Sequence, residues 1–424
     1  MVSRSYPKLC RMTARTVGAV CVCLTLASQS VRAQQTNDLQ NNTYHPTQLE
    51  NSDKSHGADS LGHFFDFLNP YASAEYTNDS NILRLDDIQP VENRGDQYLT
   101  LAVGFDSELK SGQQQYLLLG EFNSSNYNHH TELDYNGGKA AAIWHWTWDP
   151  LTTGSLGYRF SRTLRNFENE LAPRRDIDIR TENRVFASVD RDLPGDWKVG
   201  ARGDAADVSY NHTTTLDIRR TTWGVSAAYV SHAANTVGVD LEYIDGSYTN
   251  EAKQDFTEYT IGPTLVWKFT VRTQLEGKIG WTERNNASPA RPDYSAMTGR
   301  FTLTIADAGR GSLKAAAWRE LSTLGDEIAE YAVVDGFSLE PAWTLSNGIT
   351  IRLLGSYENR DFKVTTSEGP GRSDDVGLAT AYLDWPIGRH IKITAGISRG
   401  RRSSTRLYQD YEFFQQQLQV VATL

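Results

Sequence analysis

From about residue 70 to the C-terminus the chain repeats one pattern. Short segments of alternating apolar and polar residues are separated by connections that are short, then long, then short again. A two-residue period places successive side chains on opposite faces of a strand. Between residues 139 and 148, Ala140, Ala142, Trp144, Trp146 and Trp148 fall on one face, and Ala141, Ile143, His145 and Thr147 on the other. Three tryptophans on one face need an apolar cover that water does not provide. The pattern returns in Val237, Val239, Leu241, Tyr243; in Leu275, Gly277, Ile279, Trp281; in Ile349, Ile351, Leu353; and in Ile391, Ile393, Ala395, Ile397. The opposite faces carry Asp240 and Glu242, Glu276 and Lys278, Arg352, and Lys392 with Thr394. Apolar outside and charged inside inverts a soluble barrel, whose interior must be dry. It predicts an all-β fold, a transmembrane antiparallel β-barrel.

The connections sort by length. Short ones near 110–114, 149–152, 193–196, 231–236, 269–273, 307–312, 344–348 and 386–390 carry Pro, Gly, Asn and Asp, which supply turn dihedrals. Longer ones fall between them, near 78–97, 128–132, 164–178, 211–215, 249–255, 283–294, 322–327, 359–374 and 400–409. Eight turns and nine loops give about eighteen strands, short periplasmic turns, longer extracellular loops and a C-terminus returned to the periplasm. Trp148, Trp197, Trp267, Trp343 and Trp385 sit at the short turns, where an amphipathic indole rests at headgroup level. Tyr76, Tyr127, Tyr210, Tyr248, Tyr294 and Tyr357 are expected to form the opposite girdle. An eighteen-stranded barrel is wide enough to hold an aqueous lumen.

The first 33 residues set the compartment. Arg4, Lys8, Arg11 and Arg15 precede an apolar run from Val17 to Ala27, and Val31-Arg32-Ala33 offers small cleavage positions before Gln34. This is the layout of a signal peptide, too short in its apolar part to span a bilayer. All three cysteines, Cys10, Cys21 and Cys23, lie within it, so the mature chain has no disulfide or thiolate chemistry. The leader also contains five of the 42 Lys and Arg and none of the 52 Asp and Glu, which leaves the mature chain near −15. Such a chain lacks the basic footprint that binds nucleic acid. Mean hydropathy is −0.50, and no 18-residue apolar run provides a helical span. Residues 34–68 read as a flexible periplasmic segment, rich in polar residues up to about 60, and 69–424 as the barrel.

Enzyme signatures are weak. The chain has no His-Glu-x-x-His, no Gly-x-Ser-x-Gly and no phosphate loop ending in Gly-Lys-Ser/Thr. His145, expected to face the lumen, is the best candidate base for a barrel hydrolase. His129-His130 lacks a third metal ligand nearby, and Asp79, Asp86 and Asp87 do not match a defined calcium loop. No catalytic, metal or cofactor-binding residue is therefore assigned. The strongest functional surface is the lumen itself, with Arg159, Arg202, Asp240, Glu242, Glu276, Lys278, Arg352, Tyr382, Asp384 and Lys392 expected to point inward. A register error of one residue would turn any such set toward lipid.

Two stretches resemble a known family. Tyr71-Ala-Ser-Ala-Glu-Tyr-Thr-Asn-Asp-Ser-Asn-Ile-Leu-Arg-Leu85 is similar to the opening of the polysaccharide-biosynthesis outer-membrane proteins of EpsL type, within the β-barrel porin 2 group. Residues 144–189, with Tyr158-Arg-Phe-Ser161 and Arg180-Thr-Glu-Asn-Arg184, resemble the middle of those proteins. The resemblance implies a non-enzymatic outer-membrane component of exopolysaccharide biosynthesis or export, working beside polysaccharide-export machinery. A terminal Leu424 departs from the aromatic that usually ends such barrels. Without the resemblance, the same lumen reads as a general diffusion porin for small hydrophilic solutes. The expected surroundings are outer-membrane lipid, with a polysaccharide or a small solute as passenger.

Overall fold

The computed structural model describes residues 68–89, 93–165, 167, 177–289, 291–306, 310–322, 331–363 and 371–423. The proposed leader, nearly all of the segment 34–68, and Leu424 lie outside them. Eighteen strands follow one another. The first six are β1 (Leu68–Asp79), β2 (Asp96–Ser111), β3 (Gln114–Tyr127), β4 (Tyr135–Asp149), β5 (Thr152–Leu164) and β6 (Ile179–Leu193). Next come β7 (Trp197–Tyr210), β8 (Ile218–Val230), β9 (Thr236–Tyr248), β10 (Phe256–Thr270), β11 (Thr273–Asn286) and β12 (Tyr294–Ala306). The wall is completed by β13 (Gly311–Ser322), β14 (Tyr331–Thr344), β15 (Thr350–Lys363), β16 (Arg372–Ile387), β17 (Ile391–Ser404) and β18 (Tyr411–Thr423). Each strand pairs antiparallel with its sequence neighbours, and β18 pairs with β1 from Tyr71 opposite Thr423 to Asp79 opposite Gln415. The sheet is closed.

The outward face carries Leu101, Val103, Phe122, Val225, Val239, Leu241, Ile261, Trp281, Leu353 and Ile397, all exposed. A belt of this composition requires hydrocarbon around it, and a closed strand wall satisfies every backbone group there. The chain is an outer-membrane β-barrel. Trp148, Trp197, Trp267, Trp343 and Trp385 are exposed at the short-turn rim, Trp148 to 85%.

The opposite girdle differs from expectation. Tyr76 and Tyr357 face outward, but Tyr127, Tyr210, Tyr248 and Tyr294 lie on the inward register, and Tyr127, Tyr248 and Tyr294 are buried. Tyr243, Tyr259 and Phe337 take the outward positions at that end. Each of the four inward tyrosines stands where a strand meets a loop, and the loop determines its direction.

Strands also run further outward than alternation indicated. β11 continues to Asn286 and β15 to Lys363, both inside segments expected as loop, and β17 ends only at Ser404. Above the membrane the outward positions turn polar, as at Glu283, Asn359, Asp361 and Arg401, so the contrast between faces fades while backbone pairing persists.

The loops share a construction that alternation does not detect. The Tyr127 N–H donates to Asp134 Oδ1 at 2.6 Å, Tyr210 to Asp217 at 2.7 Å, Tyr248 to Asp255 at 2.7 Å, and the Asn286 N–H to Asp293 at 2.8 Å. In the first three a one-turn 3-10 helix fills the span, at Thr131–Leu133, Thr214–Leu216 and Ala252–Gln254. The octapeptides 127–134 and 210–217 share six of eight residues, Tyr-Asn-His-x-Thr-x-Leu-Asp. Each loop is tied to the preceding hairpin as well: Asn128 N–H donates to the Gln97 carbonyl, Asn211 to Ile179, Thr249 to Asp217 and Ala287 to Asp255.

Charge reinforces these ties. Asp178 is buried, which opposes ionisation, but the His212 N–H, Thr213 and the Arg165 guanidinium outweigh burial and hold its carboxyl below the usual range. Burial likewise opposes protonation of His130, yet Glu132 at 2.9 Å and the Asn93 carbonyl at 2.7 Å raise it above its ordinary value.

Three outcomes are expected. Leu241→Arg, at mid-strand and facing lipid, should lower the stability of the folded barrel by about 2–4 kcal/mol in reversible unfolding in bilayers. The raised His130 contributes stability that is complete below its unfolded value and is lost as pH rises through its folded one. Its ring titration by NMR should therefore lie above 6.5, and Glu132→Gln should move it down. Asp178 behaves oppositely, its contribution disappearing as pH falls through the depressed value, so Asp178→Asn should make loop proteolysis less sensitive to acid.

Candidate functional site

Strand register divides the wall into two faces. Positions opposite the exposed apolar belt point into the lumen, and all ten residues singled out in the sequence lie on that face. Eight of them gather in two clusters.

The first spans three alternate strands. Arg202 on β7 reaches across β8 to Asp240 and Glu242 on β9, with Nη1 to Asp240 Oδ1 at 2.6 Å, Nη2 to Asp240 Oδ2 at 2.8 Å and Nη2 to Glu242 Oε2 at 2.8 Å. Lys278 on β11 reaches across β10 to the same Asp240. The first crossing needs clearance. Gly224 lies opposite Arg202 on β8, and a Cβ there would stand 2.6 Å from Arg202 Cζ. A bidentate guanidinium–carboxylate pair is a strong charge-assisted contact, and here it is only partly wetted: Arg202 is 29% exposed and Asp240 5%.

The second cluster lies on β15, β16 and β17. Arg352 Nε donates to Asp384 Oδ2 at 2.6 Å, and the Thr394 hydroxyl donates to Asp384 Oδ1 at 2.8 Å. The Arg352 guanidinium stands 4.8 Å from the centre of the Tyr382 ring, which covers Gly396 on the next strand. Lys392 lies on the inward face of β17 and acts on Asp384 electrostatically.

Arg159 and Glu276 stand apart from both. Arg159 is exposed on β5, directly opposite Arg184 on β6 and 5.2 Å from the Phe186 ring. Arg184 is in turn held by Asp204 at 3.1 Å. Glu276 Oε1 accepts from Gln274 Nε2 at 2.5 Å. Lumen charges thus occur mainly as pairs across neighbouring or next-neighbouring strands.

A third group went unread in the sequence. Toward the outside, Arg284, Arg360, Arg372 and Arg402 are all nearly inaccessible, with Glu358 and Asp374 beside them. Arg284 lies 3.5 Å from the Phe256 ring centre, Arg372 4.2 Å from Phe362 and Arg402 4.5 Å from Tyr411. Arg360 Nη2 meets Glu358 Oε2 at 2.8 Å, and Arg372 pairs with Asp374. The sequence signal was present as opposite charges two positions apart, Glu358-x-Arg360 and Arg372-x-Asp374, but 359–374 read as loop. Burial of inward residues rises toward the extracellular end: on β13, Ser312 and Lys314 are exposed while Ala316 and Trp318 are buried.

The remaining candidates fall into structural roles. His145 is half-buried on the lumen face opposite Ser155, whose hydroxyl pairs with Ser188 at 2.8 Å. His129 Nδ1 contacts Asp96 at 3.1 Å and His130 lies between Glu132 and Asn93. Asp79 is engaged by Arg84 at 2.9 Å and by the Asn81 N–H at 2.8 Å. Among the described residues no group of three or more His, Cys, Asp or Glu is placed to hold a metal ion.

No protein-family model matches this chain, and no curated protein matches it. Solved structures do resemble it in fold. The outer membrane protein OpdK from Pseudomonas aeruginosa is 10% identical over 84% of this chain and 98% of that one, with a TM-score of 0.46. OccK9 (OpdG) from the same organism is 10% identical over 85% and 100%, with a TM-score of 0.49. A structure of P. aeruginosa OpdK with vanillate is 11% identical over 84% and 98%, with a TM-score of 0.45.

Asp240 is the acceptor shared by Arg202 and Lys278. Asp240→Ala should cost about 3 kcal/mol of stability and should move the reversal potential under a salt gradient toward anion selectivity. Gly224→Leu should displace the Arg202 side chain, leave the Asp240 and Glu242 carboxylates less neutralised, and shift selectivity in the opposite direction, toward cations.

Proposed function

We propose that this chain is a non-enzymatic outer-membrane pore for small hydrophilic solutes. The observation that carries this reading is the lumen wall, on which carboxylates and cations alternate across strands and hold one another in fixed pairs. Such a surface exchanges hydrogen bonds with a hydrated solute without offering a single strong well to trap it. The wetted periplasmic half and the closely packed extracellular half favour a passage that narrows outward, which suits solutes of limited size.

The narrower reading, a component of exopolysaccharide biosynthesis or export, rests on the resemblance of residues 71–85 and 144–189. It shares the polar wall with the first reading, but the tight outer half favours small molecules over a continuous polymer.

Swelling of liposomes containing the purified barrel separates the two. Monosaccharides should enter fastest, with rates falling steeply through disaccharides to longer oligomers. Failure of every small sugar to enter would overturn the pore reading. Deletion of the protein should leave secreted polysaccharide yield and chain length unchanged; a loss of polymer would restore the export role.

A further inference from the structure

The outward face of the wall carries several arginines in its strands, and all but one are neutralised by the protein itself. Arg191 lies 3.9 Å from Asp149, Arg219 3.4 Å from Asp207, Arg319 2.8 Å from Asp335, and Arg399 and Arg401 lie 3.2 and 3.5 Å from Glu412. Arg162, on the outward register of β5 opposite Gly138, is exposed and has no hydrogen-bond or ion-pair partner among the described residues. It stands two residues from the extracellular end of β5, above Tyr158 and Phe160 on the same face. A cation facing lipid is tolerated near an interface and penalised below it, so this position suits a guanidinium at the outer-leaflet headgroups.

Beside it the wall is hollowed. A groove of about 930 Å³ runs along the outward surface of β2 to β5, with Gly138 and Ala140 as its floor and, as its sides, Phe122, Phe160 and Phe105, whose ring lies over Gly120. Arg162 closes one end of it. The floor is low because two successive outward positions of β4 carry at most a methyl group: Ala140 lies opposite Gly120 on β3, and Gly138 opposite Arg162 on β5. The groove is apolar, open to the membrane and capped by an unneutralised cation.

We propose that this groove is a binding site for a phosphorylated lipid of the outer leaflet, with a headgroup phosphate on the Arg162 guanidinium and one acyl chain along Gly138 and Ala140. Charge complementarity selects the occupant. A neutral lipid would fill the groove but leave the guanidinium without a counterion, and a soluble anion would meet the guanidinium but leave the phenylalanine-walled channel empty. The planar fork of arginine matches phosphate oxygens in a way that an ammonium does not.

The test uses the full folded barrel in detergent micelles, with native mass spectrometry reading bound lipid as diphosphoryl lipid A is titrated in. The wild-type protein should bind lipid A about tenfold more tightly than Arg162→Ala, and Ala140→Phe, which raises the groove floor without touching the charge, should weaken binding to a similar degree. Heat-modifiable electrophoretic mobility verifies that each variant is folded. Should a variant fail to fold, lipid A stripped of its phosphates provides the same comparison on the unaltered protein and should bind as weakly as intact lipid A binds to Arg162→Ala. Phosphatidylglycerol serves as the inner-leaflet comparison and should bind less tightly than lipid A. Equal binding of lipid A to wild type and Arg162→Ala, or equal binding of phosphorylated and dephosphorylated lipid A, would mean an annular lipid only and would overturn the proposal.

Discussion

The hydrogen-bonded seam between β1 and β18 leaves the wall without an edge. In hydrocarbon an unpaired N–H or carbonyl costs several kcal/mol, and a strand edge presents a row of them. Once Tyr71 is opposite Thr423 and Asp79 opposite Gln415, every strand has two neighbours and the alternation of each one acquires a common inside and outside. The apolar belt, the two aromatic rims and the paired lumen charges all follow from that shared register. A slip of one residue at the seam would carry Glu75 to the lipid side and Tyr76 to the lumen.

Legibility in the sequence follows the membrane. Within the hydrocarbon zone the two faces see different solvents, so Val239, Asp240, Leu241 and Glu242 announce their directions by residue type alone. The strand count and the turns could be read there. Beyond the membrane both faces meet polar surroundings, and Asn359, Arg360 and Asp361 look like loop although all three are paired in β15. The inward tyrosines were misread for a related reason. An aromatic at a strand end serves equally as interfacial anchor or as packing beneath a loop, and what decides for Tyr127 or Tyr210 is the aspartate seven residues later.

Partnering was harder to read than direction. The link from Arg202 to Asp240 passes over a strand that the pair does not belong to, and its only trace in the sequence is a glycine, Gly224, without apparent purpose until the register is known. Tyr382 over Gly396 repeats the device. Side chains that bridge two strands at a time tie the wall laterally, in addition to the backbone ladder.

The aspartate clasps at the extracellular rim have a consequence for how this protein changes over time. Because each of these four loops is fastened at its own foot, by one aspartate within the octapeptide and by backbone bonds to one neighbouring hairpin, a change of side chain in one loop leaves the fastenings of the others in place. The molecule can revise what it displays to the outside world one loop at a time, while the conduit below stays in register.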